Sequence, residues 1–407
     1  MNPPGWKRAS LPKLPVSTSQ VLLENALDQE SIRGMTWSQR GEFLRPFIQG
    51  RQERQWEEET HVSPEDSIFT LIVPIHNEEH SLESFLGTLM LSNVPCTVYM
   101  QIVFVTNACT DRSFAILREF LAGIGPLHLT ETQEGWKDPG IDNQFATVEV
   151  KHVTFLHLNT STAGKANALR IGNNLARQRG DMIAISIDAN NFVEPDAIGK
   201  MFAHAHGAFR TAPEQNETVL FSGVARECVK SSKLDGVIAK VNVDKGHLVD
   251  VGSGVVNGWM LAWNTEWMSS FDGPPEVALE DYALGVLARA NHFKIEQAEG
   301  VYVWGYTVND FGGLVNTRAR YIRGKRQIYD YVHNDPSVVS IIENEAFYMK
   351  KFPARLHYLL QRIAGEPLHS ARLLATFLLW EYAIWKGMRA YRRNPRNQSW
   401  EKISSTY

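Results

Sequence analysis

The stretch Ile68-Phe69-Thr70-Leu71-Ile72-Val73-Pro74-Ile75-His76-Asn77-Glu78-Glu79 decides how this chain folds. It opens on an apolar run, Ile68–Ile75, and continues into Leu82, Phe85, Leu86 and Leu89 at helical spacing, so it reads as a strand, a polar loop and a helix. Working outward, the same cycle returns three times. Val98–Val105 leads to Phe114, Leu117, Phe120 and Leu121; Val153–Leu158 leads to Ala166–Leu175; Met182–Ile187 leads to Pro195–Phe202. Four strand-helix cycles predict an α/β fold, a doubly wound and mostly parallel sheet with helices on both faces. Val219–Val224 adds a fifth strand.

Ligands of such sheets bind where the strands end at their carboxyl side. The loops at those ends are Pro74 to Glu79, Thr106-Asn107-Ala108-Cys109-Thr110-Asp111 and Asp188-Ala189-Asn190. None carries a G-x-G-x-x-G turn, and no G-x-x-x-x-G-K-[ST] occurs in the chain, so the dinucleotide and Walker phosphate cradles are missing.

Composition narrows the classes further. Across 407 residues, 41 Lys and Arg against 45 Asp and Glu leave a net charge of −4, without the basic excess that nucleic-acid binding demands. Cys96, Cys109 and Cys228 form no C-x-x-C pair, which predicts reduced thiols in a cytoplasmic protein rather than a disulfide framework or a zinc site. Lys7 and Arg8 are followed by Leu-Pro-Lys-Leu-Pro instead of an apolar segment, against a secretory signal. No stretch reaches the roughly 20 apolar residues needed to span a bilayer. Residues 1–65 read as an N-terminal extension, 66–326 as the α/β domain and 327–407 as a C-terminal helical region.

Several residues carry candidate chemistry. Asp188 and Asn190 end an apolar strand, and side chains two apart on extended backbone share a side, so two oxygens converge as Mg²⁺ or Mn²⁺ prefers. Capping of the next turn is the alternative. Glu280 and Asp281 precede Tyr282, Ala283, Leu284 and Leu287 in the first turn of a helix; they either complement its dipole or supply a general base. Gly252 to Gly258 is a glycine-dense loop that lets backbone approach a ligand, or a plain turn. Lys165 follows Gly164 at a helix start, suited to a phosphate or to solvent. Trp259, Trp263 and Trp267, with Trp304, either pack the core or stack on an acceptor, and Trp259 stands beside the glycine loop. Arg320 and Arg323 suit a diphosphate or surface ion pairs. The segment Leu373 to Trp385, followed by Lys386, Arg389, Arg392, Arg393 and Arg396, suits either packing on its own domain or peripheral contact with a membrane.

Taken in order, these segments resemble the inverting glycosyltransferase family 2 of the GT-A fold, over about residues 68 to 326. Val73-Pro74-Ile75-His76-Asn77-Glu78-Glu79 is similar to V-P-x-x-N-E-E, and Thr106 to Asp111 to D-D/N-x-S-T-D. Gly164-Lys165-Ala166-Asn167-Ala168-Leu169 is similar to G-K-x-x-A-L, and Asp188-Ala189-Asn190 stands at D-x-D. Glu280-Asp281 stands at the catalytic base, and Arg320-Tyr321-Ile322-Arg323-Gly324 is similar to R-W-x-R-G.

The resemblance implies a GT-A sheet with helical N- and C-terminal extensions, and transfer of a sugar from a nucleotide-diphosphate donor to an acceptor hydroxyl. It assigns the base to Asp281 beside Glu280, and a divalent ion, Mn²⁺ or Mg²⁺, to Asp188 and Asn190. Donor contacts fall to Pro74, His76, Asn77, Glu78, Thr106, Asn107, Lys165, Asp188, Arg320 and Arg323. Acceptor contacts fall to Gly254, Gly258, Trp259, Trp304 and Tyr321, for a small molecule, glycan or lipid. The chain departs from the pattern at Thr106, where many members have aspartate, at Asn190, and at Thr317 and Tyr321, which replace the Gln and Trp of Q-x-x-R-W. The last two imply a single addition rather than processive synthesis. The rival readings are a sugar-phosphate nucleotidyltransferase, whose glycine-rich first loop is missing from Pro74–Glu79, and a non-catalytic carbohydrate-binding relative.

Overall fold

The structure is a computed structural model that describes residues 68–92, 98–131, 141–142, 144–150, 153–209, 217–228, 256, 258–271, 277, 279–306, 311–332, 352–365 and 370–393, with isolated positions 36, 38, 39, 42, 214, 336, 339 and 342. The described strands are β1 (Ile68–Ile75), β2 (Tyr99–Asn107), β3 (His128–Glu131), β4 (Gln144–Val150), β5 (Val153–Thr160), β6 (Ile183–Ile187), β7 (Phe192–Val193), β8 (Thr218–Cys228), β9 (Met260–Asn264) and β10 (Lys294–Tyr306). The described helices are α1 (Leu82–Met90), α2 (Ser113–Ile124), α3 (Lys165–Arg179), α4 (Ala197–Ala208), α5 (Thr265–Ser269), α6 (Glu280–Ala290), α7 (Phe311–Tyr331), α8 (Phe352–Gly365) and α9 (Ser370–Arg393).

All ten strands join one sheet in the order β3-β4-β5-β2-β1-β6-β9-β8-β10-β7. The block β5-β2-β1-β6 is parallel throughout, as the repeated strand-helix cycles predict. The β9 strand runs antiparallel to both β6 and β8, which therefore point the same way, and β10 runs parallel to β8. The sheet is thus mostly parallel in direction, with β4, β7 and β9 reversed.

Alternation along β1 divides the core. Phe69, Leu71, Val73 and Ile75 pack with Leu82 and Phe85 of α1, Ile116 and Phe120 of α2, and Met201 and Phe202 of α4. Ile72 points the other way, onto Leu169 and Ala176 of α3, in a cluster with Trp263 of β9 and Leu284 of α6. A third cluster joins Val277, Leu279, Tyr282 and Val286 to Ile322 and Ile328 of α7 and Trp380 and Ala383 of α9. The C-terminal helices therefore share apolar surface with α6, and α7 runs unbroken through position 326.

Trp263 and Trp267 are buried, as the packing reading of that stripe holds, and the Trp263 Nε1 donates to Asn173 Oδ1 at 2.9 Å. The N-terminal extension, 1–65, lies almost wholly outside the described residues, as does Gly254. One contact from the extension is described: a Cβ added to Gly123 of α2 would lie 1.9 Å from the carbonyl oxygen of Ser38.

Where α3 crosses β1, a Cβ at Gly172 would stand 2.6 Å from both Ile72 Cγ1 and Cδ1. Ile72 is stiff and fully buried, so it has no room to yield. Gly172→Val should lower the free energy of unfolding by about 1–3 kcal/mol in denaturant titration. Gly207 of α4 has nothing within 4 Å of its Cβ position, and Gly207→Ala should instead stabilise by roughly 0.5–1 kcal/mol.

Candidate active site

The loops at the carboxyl ends of β1 and β2 are locked into one another. Asn77 has φ 56°, in the left-handed region, which turns its side chain back so that Oδ1 accepts the Thr110 N–H at 2.7 Å. Glu78 N donates to Ser113 Oγ at 2.7 Å, and Glu79 N to Asp111 Oδ2 at 3.1 Å, while Arg112 N donates to Glu79 Oε2 at 3.0 Å. His76 Nδ1 lies 2.7 Å from the Asn107 carbonyl, which only accepts, so this nitrogen carries the proton. Asn107 Nδ2 donates to the Ile75 carbonyl at 3.1 Å, and its Oδ1 accepts from Gly164 N at 3.1 Å, which ties β1 and β2 to the entrance of α3. The polar run Pro74 to Glu79 and its partner Thr106 to Asp111 are one interlocked wall. Pro74, Glu78 and Asn107 are buried in it, and His76 and Asn77 are half-buried.

Gly164 has φ 130°, a conformation that a side chain strains, and it starts α3 with Lys165 as the first helical residue. The Lys165 side chain is only 3% exposed. Its ammonium reaches Asp188 Oδ1 at 2.7 Å, Glu280 Oε1 at 3.0 Å and the Gly258 carbonyl at 2.9 Å. Three oxygens thus surround the ammonium within 3.0 Å, so it has partners without a phosphate. Burial alone would discharge the amine, but Asp188, Glu280 and Asp281 outweigh it and hold the ammonium charged, above its ordinary range.

Around that cation stand the acids. Asp188 is 16% exposed; burial pushes its carboxyl up, Lys165 draws it down, and Glu280 and Glu78 push it up again, so that the net direction is up. Asp281 is half-buried in the first turn of α6. Its Oδ2 accepts Gly258 N at 3.0 Å and its Oδ1 accepts Tyr282 N at 2.8 Å. Burial pushes its carboxyl up to about 6, Glu280 adds to the rise, and Lys165 opposes it. A Cβ at Gly258 would lie 2.6 Å from Asp281 Oδ2, so only glycine lets the loop backbone reach the carboxylate. Asp188 and the Glu280-Asp281 pair, 92 and 93 positions apart, therefore meet across Lys165 and Gly258.

The turn after β6 differs from its sequence-based picture. Extended backbone ends at Ile187, and Asp188 to Asn191 close a turn with Asn191 N donating to Asp188 O at 3.1 Å. The alternation argument for Asp188 and Asn190 therefore does not apply, because it requires a strand through both. The turn is pinned instead by the Trp259 carbonyl, which accepts from Asp188 N at 3.2 Å and Asn191 Nδ2 at 3.3 Å. Asn190 is half-buried beside it.

The remaining candidates have partners of their own. Thr106 is fully buried, its hydroxyl 2.9 Å from Asn159 Oδ1, 3.0 Å from His157 Nε2 and 3.2 Å from Leu158 O. His157 is pushed down to about 3 by burial and by the nearby Arg118, so the ring facing Thr106 is neutral. Trp304 Nε1 donates to Glu194 Oε1 at 2.8 Å. Trp259, partly buried, packs its ring edge against Gly305, where a Cβ would lie 2.9 Å from Cη2. On α7, the Arg320 guanidinium lies 5.7 Å from the Tyr321 ring centroid, and Arg323 is buried. Gly324 brings this helix to the acids, since its Cβ would stand 2.6 Å from Cγ of Leu279, the residue before Glu280.

No protein-family model and no curated protein matches the sequence. Among solved structures, the chain is similar to a mannosyltransferase from Pyrobaculum calidifontis in complex with GDP-Man and Mn²⁺, at 17% identity, covering 94% of this chain and 98% of that one, with a TM-score of 0.46. It is also similar to S. aureus TarS 1-349 in complex with UDP, at 11% identity, 83% and 94% coverage and a TM-score of 0.41. The same TarS fragment with UDP-GlcNAc aligns at 13% identity, 80% and 89% coverage and a TM-score of 0.38. Each likeness is distant.

Removal of the cation tests the cluster. Lys165→Met leaves Asp188 and Glu280 facing one another uncompensated, and should cost about 3–5 kcal/mol of stability in denaturant unfolding. Lys165→Met with Glu280→Gln should recover part of that loss. Equal stability of the single variant and the parent would refute the ion-pair geometry.

Proposed function

We propose that this chain is an inverting glycosyltransferase of the GT-A type that moves one sugar from a nucleotide-diphosphate donor to an acceptor hydroxyl. The convergence of Asp188, Glu280 and Asp281 around Lys165 at the carboxyl end of the sheet carries the reading, because two separated carboxylate functions are what such a transfer uses. Residues 66–326 form the catalytic unit in this proposal, with extensions on either side.

Charge at the site favours a hard divalent cation, although among the described residues no three ligating acids, histidines or cysteines form a ready metal cage. Three carboxylates against one ammonium leave negative charge at the site, and the Asp188 carboxylate keeps exposure while Lys165 holds its Oδ1. Asp188 and Asn190 would hold Mn²⁺ or Mg²⁺, which would supply charge stabilisation to the departing diphosphate. Lys165 supports the site from behind, by fixing Asp188, Glu280 and Gly258 relative to one another. The Asn77-Asn107 wall, with His76 and Glu78, frames the donor, and Arg320 and Arg323 flank it from α7.

Asp281 takes the acceptor proton as the hydroxyl attacks the anomeric carbon, and attack opposite the leaving group inverts that centre. Its two backbone hydrogen bonds hold the carboxylate in place, and its raised pKa suits a base that is charged near neutral pH yet basic enough to accept a proton. Glu280 stays paired with Lys165. Trp259, Trp304, Tyr321 and Gly258 border the acceptor side in this proposal.

Asp281→Asn should lower kcat by about 10²–10⁴-fold with little change in Tm. The carboxyl is charged above about pH 6 and protonated below it, so kcat/KM should fall about tenfold per unit once pH drops under that value. A panel of nucleoside diphosphates read by thermal shift should show one that raises Tm with Mn²⁺ present and loses the effect on chelation. A full panel without any shift, and no donor turnover, would reject the transferase reading.

A further inference from the structure

The last helix is built with two unlike faces. Phe377, Trp380, Ala383 and Gly387 of α9 turn inward; Trp380 lies under the Arg318 guanidinium at 5.4 Å, and Gly387 comes so near α7 that a Cβ would stand 2.7 Å from the Ala319 carbonyl. On the opposite side, Leu374, Leu378, Tyr382 and Trp385 follow one another at helical spacing, and each is 46% to 58% exposed. This apolar stripe runs about 16 Å along the helix at 1.5 Å per residue. Water is a poor neighbour for such a surface, and packing within the described residues leaves it uncovered.

Charge selects the occupant. The stripe passes directly into Arg389, Arg392 and Arg393, all exposed, with the Arg389 guanidinium 5.1 Å from the Trp385 ring centroid. Glu381 is the single acid within α8 and α9, and it lies at the edge of the stripe. Arg355 of α8 holds it through Nε at 2.7 Å and Nη2 at 2.6 Å, so it presents no free negative charge beside the apolar residues. Aliphatic and aromatic side chains that pass into arginines, with the one acid neutralised, match the boundary between acyl chains and anionic headgroups. Among the described residues no helix is long and apolar enough to cross a membrane.

We propose that the outer face of α9 docks the protein on an anionic lipid surface, with the helix lying in the plane of the interface. Leu378 and Trp385 enter the headgroup boundary, and Arg389, Arg392 and Arg393 meet lipid phosphates. The docking is independent of the sugar-transfer reading, because it uses none of the residues around Lys165.

Co-sedimentation of the full chain with vesicles tests it. The chain should pellet with phosphatidylcholine vesicles that contain phosphatidylglycerol, and much less with phosphatidylcholine alone. L378S/W385S changes exposed side chains only, so it should keep the parental Tm and bind at least about tenfold more weakly. R392E/R393E leaves the apolar stripe intact and should lose the preference for the anionic vesicles. Three results would overturn the proposal: no pelleting of the parent with anionic vesicles, undiminished binding by L378S/W385S, or a dimer in solution that L378S/W385S dissociates, which would assign the face to a second copy.

Discussion

One buried ammonium organises this molecule. Lys165 reaches Asp188 after β6, Glu280 at the start of α6 and the carbonyl of Gly258 before β9, so three segments far apart in the chain share one cation. Acids placed this close, with burial pushing Asp188 and Asp281 up, would repel one another without an opposite charge between them. Lys165 pays for their proximity and is itself kept charged by it. The constraint is mutual: the acids offset the burial of the lysine, and the lysine offsets the crowding of the acids.

The surrounding structure serves that contact. Gly164 gives α3 an entry that a side chain would strain, and this aims Lys165 inward. Gly258 lets loop backbone touch Asp281, and Gly324 lets α7 close on Leu279, the residue that introduces the acidic pair. On the donor side, the left-handed Asn77 and the bridging Asn107 join the ends of β1 and β2 to the same helix start. The site is therefore stiff at its back, and the Asp188 side chain keeps 16% exposure.

Much of the fold was legible because its signals are local. Ile68–Ile75 and Leu82–Leu89 carry their periods within a few residues of each other, and the parallel block β5-β2-β1-β6 follows from repeating that unit. The reversed strand β9 was not legible, because it is five residues of continuous burial, a pattern shared by helices and strands, and its aromatic spacing matches a helix. The β3 and β4 edge was missed for a related reason: β3 is exposed throughout and carries no apolar alternation. Within the site, Asp188, Glu280, Asp281 and Lys165 were all legible as candidates. The place of Lys165 was not, since a lysine at a helix start reads equally as a phosphate ligand, a solvated side chain or the partner of an acid ninety residues away.

By itself the sequence determined the alternation of strand and helix, the polar loops at the strand ends and the residue types available there, because these depend on neighbours within one or two turns of chain. Tertiary structure alone decided which of those residues meet. Burial in a shared interior sets the charge on Lys165 and lifts Asp281, turns Trp263 into core, leaves Leu378 and Trp385 on the surface, and replaces the expected strand through Asp188 and Asn190 with a turn. Each of these is a property of distance in space, and distance in space is what a linear pattern of residues does not carry.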